Sequence, residues 1–149
     1  MQAPATDSLD NSSPEERLRA LGIELPPAAP PVGDYTPTIV VGNLLFMSGQ
    51  VPWIAGDLKF KGKIGADLTP EQGYQAFRLS ALNAIAQIKA ALGSLDRVKQ
   101  VVRLEGTMGS APGFTAQPAA LNGASEIVNQ VMDCATLIVL YAEIVPEDK

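Results

Sequence analysis

The chain has 149 residues, of which 46% are hydrophobic, so it can bury one sizeable core but is too short for two ordinary domains. Eleven Lys and Arg against sixteen Asp and Glu give a net charge of -5, without a basic cluster that would neutralise phosphates, so we expect no nucleic-acid partner. The single cysteine excludes an intramolecular disulfide, and the lack of histidine argues against zinc sites and serine–histidine triads.

The amino-terminal region predicts a short helix and then an extended segment. Residues Met1–Asn11 lack a basic stretch followed by an apolar one, and no apolar run approaches membrane-spanning length, so we expect a soluble cytoplasmic protein without a membrane partner. Ser13-Pro14-Glu15-Glu16 has the pattern of a capping box, and Gly22 is a natural stop. We therefore predict an extension over residues 1–25, and a single domain over 26–149 that begins with the proline-rich segment Pro26–Pro37.

An apolar hairpin is predicted to end at polar residues. Thr38–Val41 and Leu44–Met47 flank Gly42-Asn43, which has the residues of a tight turn. Ser48-Gly49-Gln50 follows. A glycine at a strand end admits the close approach of a ligand, while a hydroxyl and an amide supply donors and acceptors. The segment predicts a ligand site, although a glycine bulge with polar neighbours explains these three residues equally well.

Two helices and two further strands are predicted after a turn at Ala55-Gly56-Asp57 and a glycine-containing loop. Thr69 and Pro70 begin a long helix that Gly93 ends, and its apolar residues form one stripe: Tyr74, Phe77, Ala81, Ile85, Ile88 and Leu92. Val98–Met108 is a predicted strand, Pro118–Val131 a helix and Thr136–Val145 a final strand. This order predicts an α+β fold with two helices on one face of a mixed β-sheet. The other face of the sheet would expose apolar side chains to water, and further copies of the chain would cover it. We therefore predict a homo-oligomer.

Four segments together resemble the RidA family, also called the YjgF family: Gly33-Asp34-Tyr35, Gly42 to Gln50, Leu92-Gly93 and Leu95 to Lys99. The resemblance runs from about Leu21 to Val131. It implies a chorismate-mutase-like fold and a homotrimer. It also implies a cleft between subunits where small imines or enamines of amino-acid origin are hydrolysed to oxo acids and ammonia. The implied partners are a small metabolite and further copies of the chain, with no cofactor and no metal.

The resemblance also implies a set of substrate-binding residues. Tyr35 corresponds to a cleft tyrosine, Gly49 to a backbone contact and Asn122 to a helix asparagine that lines the site. Ser48 and Gln50, which flank this glycine, are added as substrate-binding candidates because their hydroxyl and amide offer donors and acceptors. On the sequence alone, Tyr35 is equally well a surface residue of the proline-rich segment.

The carboxyl-terminal region departs from the family pattern. That pattern has an arginine on one strand, a Leu-Pro turn and a second strand bearing glutamates, whereas residues 132–145 supply one strand and no arginine. Because a guanidinium holds a substrate carboxylate bidentately, we expect weaker binding here. Glu143 is the candidate catalytic residue, as a remnant of the water-activating glutamate, or else faces solvent. Activity therefore stays open, and a non-catalytic ligand-binding or interaction protein is the alternative.

Three further interpretations complete the sequence analysis. Arg103 and Glu105 lie on one face of a predicted strand, so an ion pair is favoured over Arg103 as a substitute for the missing arginine. Trp53 is more typical of a core or subunit anchor than of a cleft rim. Ribonuclease activity is least favoured, because the chain is acidic and lacks histidine.

Overall fold

The computed structural model describes residues 12–132 and the backbone of residues 134–143. In this part of the chain, helices and strands follow one another in this order: α1 (Pro14–Ala20), β1 (Thr38–Val41), β2 (Leu44–Met47), β3 (Trp53–Ile54), β4 (Asp57–Leu58), α2 (Pro70–Leu92), β5 (Val101–Gly109), α3 (Gln117–Val131) and β6 (Cys134–Glu143). A single turn of 3-10 helix, Leu95–Arg97, precedes β5. None of the described helices is both long and apolar enough to cross a bilayer.

The long helix α2 begins and ends where the sequence predicts. The Thr69 side chain accepts a hydrogen bond from the backbone N of Gln72 at 3.1 Å, and Gln72 Oε1 accepts one from the backbone N of Thr69 at 2.8 Å. Gly93 ends the helix with φ of +81°, a left-handed conformation that favours glycine. The predicted bounds of this helix are therefore confirmed.

The core lies mainly between α2 and α3. Its fully buried side chains are Ile85, Leu95, Ile127, Val131 and Met132. The helix predicted over Pro118–Val131 is confirmed, and its four predicted core residues, Leu121, Ile127, Val128 and Val131, are all buried. Burial of these side chains removes enough apolar surface from water to hold the two helices together.

Helix α1 is attached to this core through the apolar side chain of Leu18 and through charged side chains, among them Glu15 and Arg17. Arg17 Nη1 donates to the Val131 carbonyl at 3.5 Å. Leu18 is 5% exposed and belongs to the main core. The Glu15 carboxylate accepts hydrogen bonds from Lys89 Nζ at 2.7 Å and from the backbone N of Leu95 at 3.0 Å. The hydrogen bond from Lys89, followed by that from Leu95, lowers the pKa of Glu15 below its ordinary value of 4.5. Glu15 thus links α1 to the end of α2.

The Glu15→Gln variant is expected to lose about 1 kcal/mol of unfolding free energy at neutral pH, because a charge-assisted hydrogen bond to a half-exposed lysine is lost. A carboxyl whose pKa is lowered by folding contributes stability above its unfolded pKa, and that stability disappears as the pH falls through the folded pKa. The variant should therefore lose less stability on acidification than the parent protein.

Denaturant unfolding from about pH 7 down to about pH 3 measures this dependence of stability on pH. Glu24→Gln, at an exposed position, is the control. An unchanged acid dependence in Glu15→Gln would contradict the assignment.

Two hairpins precede α2. Strands β1 and β2 pair antiparallel from Thr38↔Met47 to Val41↔Leu44, as predicted, with Gly42 at φ of +61° in the turn. Strands β3 and β4 form a second, shorter hairpin, whose turn holds Ala55 and Gly56 at φ of +52° and +83°. Consecutive positive φ values are typical of the tight turns that join antiparallel strands.

Strands β5 and β6 form a parallel pair, which α3 connects. The register runs from Val101↔Cys134 to Gly109↔Glu143. A helical crossover is the usual connection between parallel strands. The strand predicted at Val98–Met108 begins three residues later than expected, at Val101, after the single 3-10 turn at Leu95–Arg97.

The single mixed sheet that the sequence predicted is not what the described strands form. They make three separate two-stranded sheets, β1-β2, β3-β4 and β5-β6. The two hairpins are very short, and closing a hairpin loop costs less entropy than bringing strands together across the long helix α2. Each hairpin strand therefore pairs with its immediate neighbour in sequence.

The first hairpin leaves its apolar side chains in solvent. Five of them are about half exposed: Ile39 54%, Val40 55%, Val41 59%, Leu44 48% and Phe46 55%. Monomeric soluble proteins rarely expose so many adjacent large apolar residues. We call this surface the hairpin patch, and within the described part of one chain it remains exposed.

Candidate functional site

A cavity of about 300 Å³ lies between the proline-rich segment, residues 49–53 and helix α2. Three of the predicted site residues, Tyr35, Gly49 and Gln50, line it. We call it the Tyr35 cavity. Its walls are largely apolar, and the described residues that line it carry no charged side chain. Small-molecule sites typically combine such walls with a few polar groups.

Tyr35 lies at the rim of the cavity in a tight bend. Its backbone N donates a hydrogen bond to the Gly33 carbonyl at 3.0 Å, and its phenolic oxygen accepts one from the backbone N of Val32 at 3.4 Å. The side chain remains 45% exposed. The bend holds the phenol beside the cavity, where it is accessible to a ligand.

The Ser48-Gly49-Gln50 segment turns the end of β2 toward Tyr35. Ser48 Oγ donates to the Thr36 carbonyl at 2.7 Å, and the backbone N of Ser48 donates to the Pro37 carbonyl at 2.9 Å. Gln50 Nε2 donates to the Ser48 carbonyl at 3.1 Å. Ser48 is not among the residues that line the cavity, since its hydroxyl fixes the bend, whereas Gly49 and Gln50 reach the interior.

Two cavity residues were missed by the sequence analysis. Asn83 and Gln87 lie one turn apart on the buried side of α2, and each is 6% exposed. Asn83 Nδ2 donates to the carbonyls of Val51 and Trp53 at 2.8 and 3.0 Å, and Gln87 Nε2 donates to the Ala29 carbonyl at 2.5 Å. They attach both flanking segments to α2. The available signal was a pair of amides at i and i+4 within an apolar helix face.

The other predicted site residues lie elsewhere. Asn122 is exposed on α3 and does not line the Tyr35 cavity. Glu143 is the last described residue and lies opposite Gly109 in the β5-β6 pair, while its side chain lies outside the described part. The predicted ion pair between Arg103 and Glu105 is confirmed. Within one copy of the chain, the described residues thus gather Tyr35, Gly49 and Gln50 but not Asn122.

Titratable groups with shifted pKa values lie outside the cavity. The hydrogen bond from Lys59 at 2.8 Å lowers the pKa of Asp57, and the hydrogen bond to Glu126 at 2.6 Å raises the pKa of Tyr74. Neither residue lines the cavity. Among the described residues there is also no group of three His, Cys, Asp or Glu that could hold a metal ion. The described cavity is therefore suited to binding and orienting a ligand.

The described part of the chain is an α+β protein with three helices, small sheets and a cavity beside a Ser-Gly-Gln bend. The chain belongs to the family described as "YjgF/chorismate mutase-like, putative endoribonuclease", whose sequence profile matches residues 15–141. The family resemblance seen in the sequence is thereby confirmed, and the fold is that of the YjgF, chorismate-mutase-like proteins.

Three relatives illustrate the likeness. Protein TCP17 of Trypanosoma cruzi is 43% identical over 114 residues, which is 76% of this chain and 71% of that protein. A crystal structure from Shewanella oneidensis MR-1, described as a putative endoribonuclease, has a TM-score of 0.80 and 42% identity, covering 87% of this chain and 89% of that one. Protein Atu1372 of Agrobacterium tumefaciens, described as of unknown function, has a TM-score of 0.74 and 36% identity, covering 86% and 82%.

Proposed function

We propose that this protein hydrolyses small reactive imines or enamines of amino-acid origin to oxo acids and ammonia without a cofactor. The observation that carries the proposal is the grouping of Tyr35, Gly49 and Gln50 around one cavity in a chain of the YjgF family. The family resemblance gives Tyr35 and Gly49 their roles in substrate binding. Gln50, beside Gly49, supplies a second amide group, and Ser48 keeps the bend in place.

The proposed reaction adds water across a carbon–nitrogen double bond. A water oxygen forms a bond to the imine carbon while a proton passes to the nitrogen, which gives a tetrahedral amino alcohol. The carbon–nitrogen bond then breaks, ammonia leaves, and the hydroxyl loses its proton to form the carbonyl. Glu143 is proposed to orient the water and accept its proton, in the manner of general-base catalysis.

The proposed assembly is a homotrimer. Its support is the hairpin patch, because leaving five half-exposed apolar side chains in water is energetically unfavourable. A cleft between subunits also accounts for the separation of the predicted site residues within one chain. Asn122 of the partner subunit would complete the cavity that Tyr35 begins. A light-scattering mass of three times 15.7 kDa is expected, and a monomer would contradict the cleft between subunits.

The test of the proposed function is the rate at which ammonia and oxo acid appear from freshly generated 2-iminobutanoate. We expect the protein to accelerate this reaction and Glu143→Ala to reduce the acceleration about 100-fold, as for loss of a general base. Tyr35→Phe should reduce it less, because only the hydroxyl is removed. Glu24→Ala, an exposed carboxylate on the proline-rich side, is the matched control. No acceleration by a folded trimer would contradict catalysis.

The second candidate is a non-catalytic ligand-binding or interaction protein on the same scaffold. The observation that favours it is the lack of arginine in residues 132–149, together with a described cavity lining that carries no charge. A carboxylate held without a cation binds weakly. Endoribonuclease activity, which the family description names, is disfavoured by the net charge of -5 and the lack of histidine.

A further inference from the structure

We propose that the Tyr35 cavity recognises its ligand through an N–H donor, which the side-chain oxygens of Asn83 and Gln87 accept. The inference rests on the proposed function in that it concerns the same cavity, and it names the group that is recognised. The cavity takes the imine, amine or amide end of a small molecule. A carboxylate on the same molecule points out of the cavity.

The hydrogen bonds of the two amides assign the nitrogen and the oxygen of each side chain. Only the nitrogen of a side-chain amide can donate, so Asn83 Nδ2 must face the carbonyls of Val51 and Trp53. The Gln87 nitrogen must likewise face the Ala29 carbonyl. Both nitrogens therefore donate to backbone carbonyls of the segments around the cavity. The two oxygens are the atoms that can accept a hydrogen bond from a ligand.

These oxygens are buried acceptors without a donor in the described part of the chain. Asn83 and Gln87 are each 6% exposed and both line the cavity. No described N–H or O–H group makes a hydrogen bond to Asn83 Oδ1 or Gln87 Oε1. Buried polar groups in proteins are normally paired, and leaving one unpaired is costly. A ligand that brings an N–H group supplies the missing partner.

The same arrangement disfavours a carboxylate. A carboxylate only accepts hydrogen bonds, so it would meet two further acceptors and no cation among the described lining residues. Its charge would also lose water without a cation among the described lining residues to compensate it. Val51, Trp53 and Leu58 offer apolar contacts to the carbon skeleton instead. In the proposed hydrolysis, the nitrogen that leaves as ammonia would therefore lie toward α2 and the imine carbon toward Gly49.

Trp53 makes this selectivity measurable, because it is the single tryptophan of the chain and lines the cavity. Its fluorescence would be followed during titration with three ligands of the same shape: butanamide, pentan-2-one and butanoate. They carry an amino group, a methyl group and an anionic oxygen, respectively, at the same position. We expect a saturable change with butanamide, at an affinity about 10-fold higher than for the other two, which is the discrimination expected of a buried hydrogen-bonding group.

A variant tests whether Gln87 is responsible for the preference for butanamide over the other two ligands. Gln87→Met keeps the side-chain length and removes the acceptor, so butanamide should bind about 10-fold more weakly and pentan-2-one equally well. The matched control is Gln75→Met, an exposed position on the same helix. Because the ligand series is measured on the unaltered protein, a variant that fails to fold leaves the test intact.

The outcomes separate this inference from the proposed function. Equal or tighter binding of pentan-2-one or butanoate would overturn the N–H selectivity, while ammonia release from 2-iminobutanoate still tests hydrolysis. No response of Trp53 to any of the three ligands would overturn the inference as well. Selective binding of butanamide without any hydrolysis would support the inference and contradict catalysis.

Discussion

Replacing Gly123 by alanine is expected to lower the free energy of unfolding by about 2–3 kcal/mol, as for overpacking of a tight interface. Gly123 lies on α3 where that helix touches α2. A methyl group there would overlap the backbone carbonyl oxygen of Tyr74 and crowd the backbone N of Arg78 at 3.1 Å. Backbone atoms within a helix cannot rotate away, so α3 must move. Alanine itself favours a helix by about 1 kcal/mol over glycine, which only partly offsets this cost.

Gly73→Ala in α2 is the matched control for Gly123→Ala. The three atoms nearest to a methyl group at Gly73 are all side-chain atoms of Ile64, and the nearest of them is its terminal Cδ1. The end of a side chain can shift more easily than the backbone of a helix, so a smaller loss is expected than at Gly123. Denaturant unfolding of both variants measures the difference. An unchanged or increased stability of Gly123→Ala would contradict the close approach of α2 and α3.

Replacing Asn83 by alanine is expected to lower the free energy of unfolding by about 2 kcal/mol and to alter the environment of Trp53. The buried amide donates to the carbonyls of Val51 and Trp53, and both of these hydrogen bonds would be lost. The Val51 carbonyl would keep only its bond from the backbone N of Trp53, at 2.8 Å. Each lost hydrogen bond contributes about 0.5–1.5 kcal/mol, so the two together account for the expected loss. Because these bonds hold one wall of the Tyr35 cavity against α2, the wall should loosen.

Unfolding curves and the emission maximum of Trp53 measure the effect of Asn83→Ala. We expect the maximum to move to longer wavelength as the indole meets more water. Asn129→Ala, at an exposed position on α3, is the control and should change stability by less than about 0.5 kcal/mol. An unchanged Trp53 spectrum in Asn83→Ala would show that the amide does not anchor the wall.

The helices could be predicted from sequence because their signals are local. Ser13 and Thr69 sit three residues before Glu16 and Gln72, and both pairs form the reciprocal hydrogen bonds of a capping box. Gly93 supplies the left-handed residue that ends α2. Each device works within one turn of the chain, so no knowledge of distant contacts is needed.

The pairing of strands could not be predicted in the same way. The sequence of the first hairpin fixes the register between β1 and β2 through a turn of two residues. No local feature of the sequence indicates whether β2 also pairs with β5, because β3, β4 and the long helix α2 separate these strands in the chain. Three small sheets rather than one mixed sheet are the result.

The candidate site was predictable in part. Tyr35, Gly49 and Gln50 follow from the resemblance and from the Ser-Gly-Gln bend, and the fold brings them to one cavity. Asn83 and Gln87 were not predicted, because a polar residue within the apolar stripe of α2 does not by itself indicate a binding site. Their role depends on segments that lie about 30 to 60 residues earlier in the chain, where they find their hydrogen-bond acceptors.

The most direct test of imine hydrolysis in the Tyr35 cavity is the initial rate of ammonia release from 2-iminobutanoate by the parent protein and by Gly49→Leu. A Cβ at Gly49 would meet no atom within 4 Å, and its φ lies outside the left-handed region, so the variant should fold. Its side chain would occupy the cavity that Gly49 lines. We predict that the parent protein accelerates release and that Gly49→Leu reduces the acceleration at least about 10-fold, because the substrate can no longer be positioned. Equal acceleration by a folded Gly49→Leu protein would contradict catalysis in this cavity.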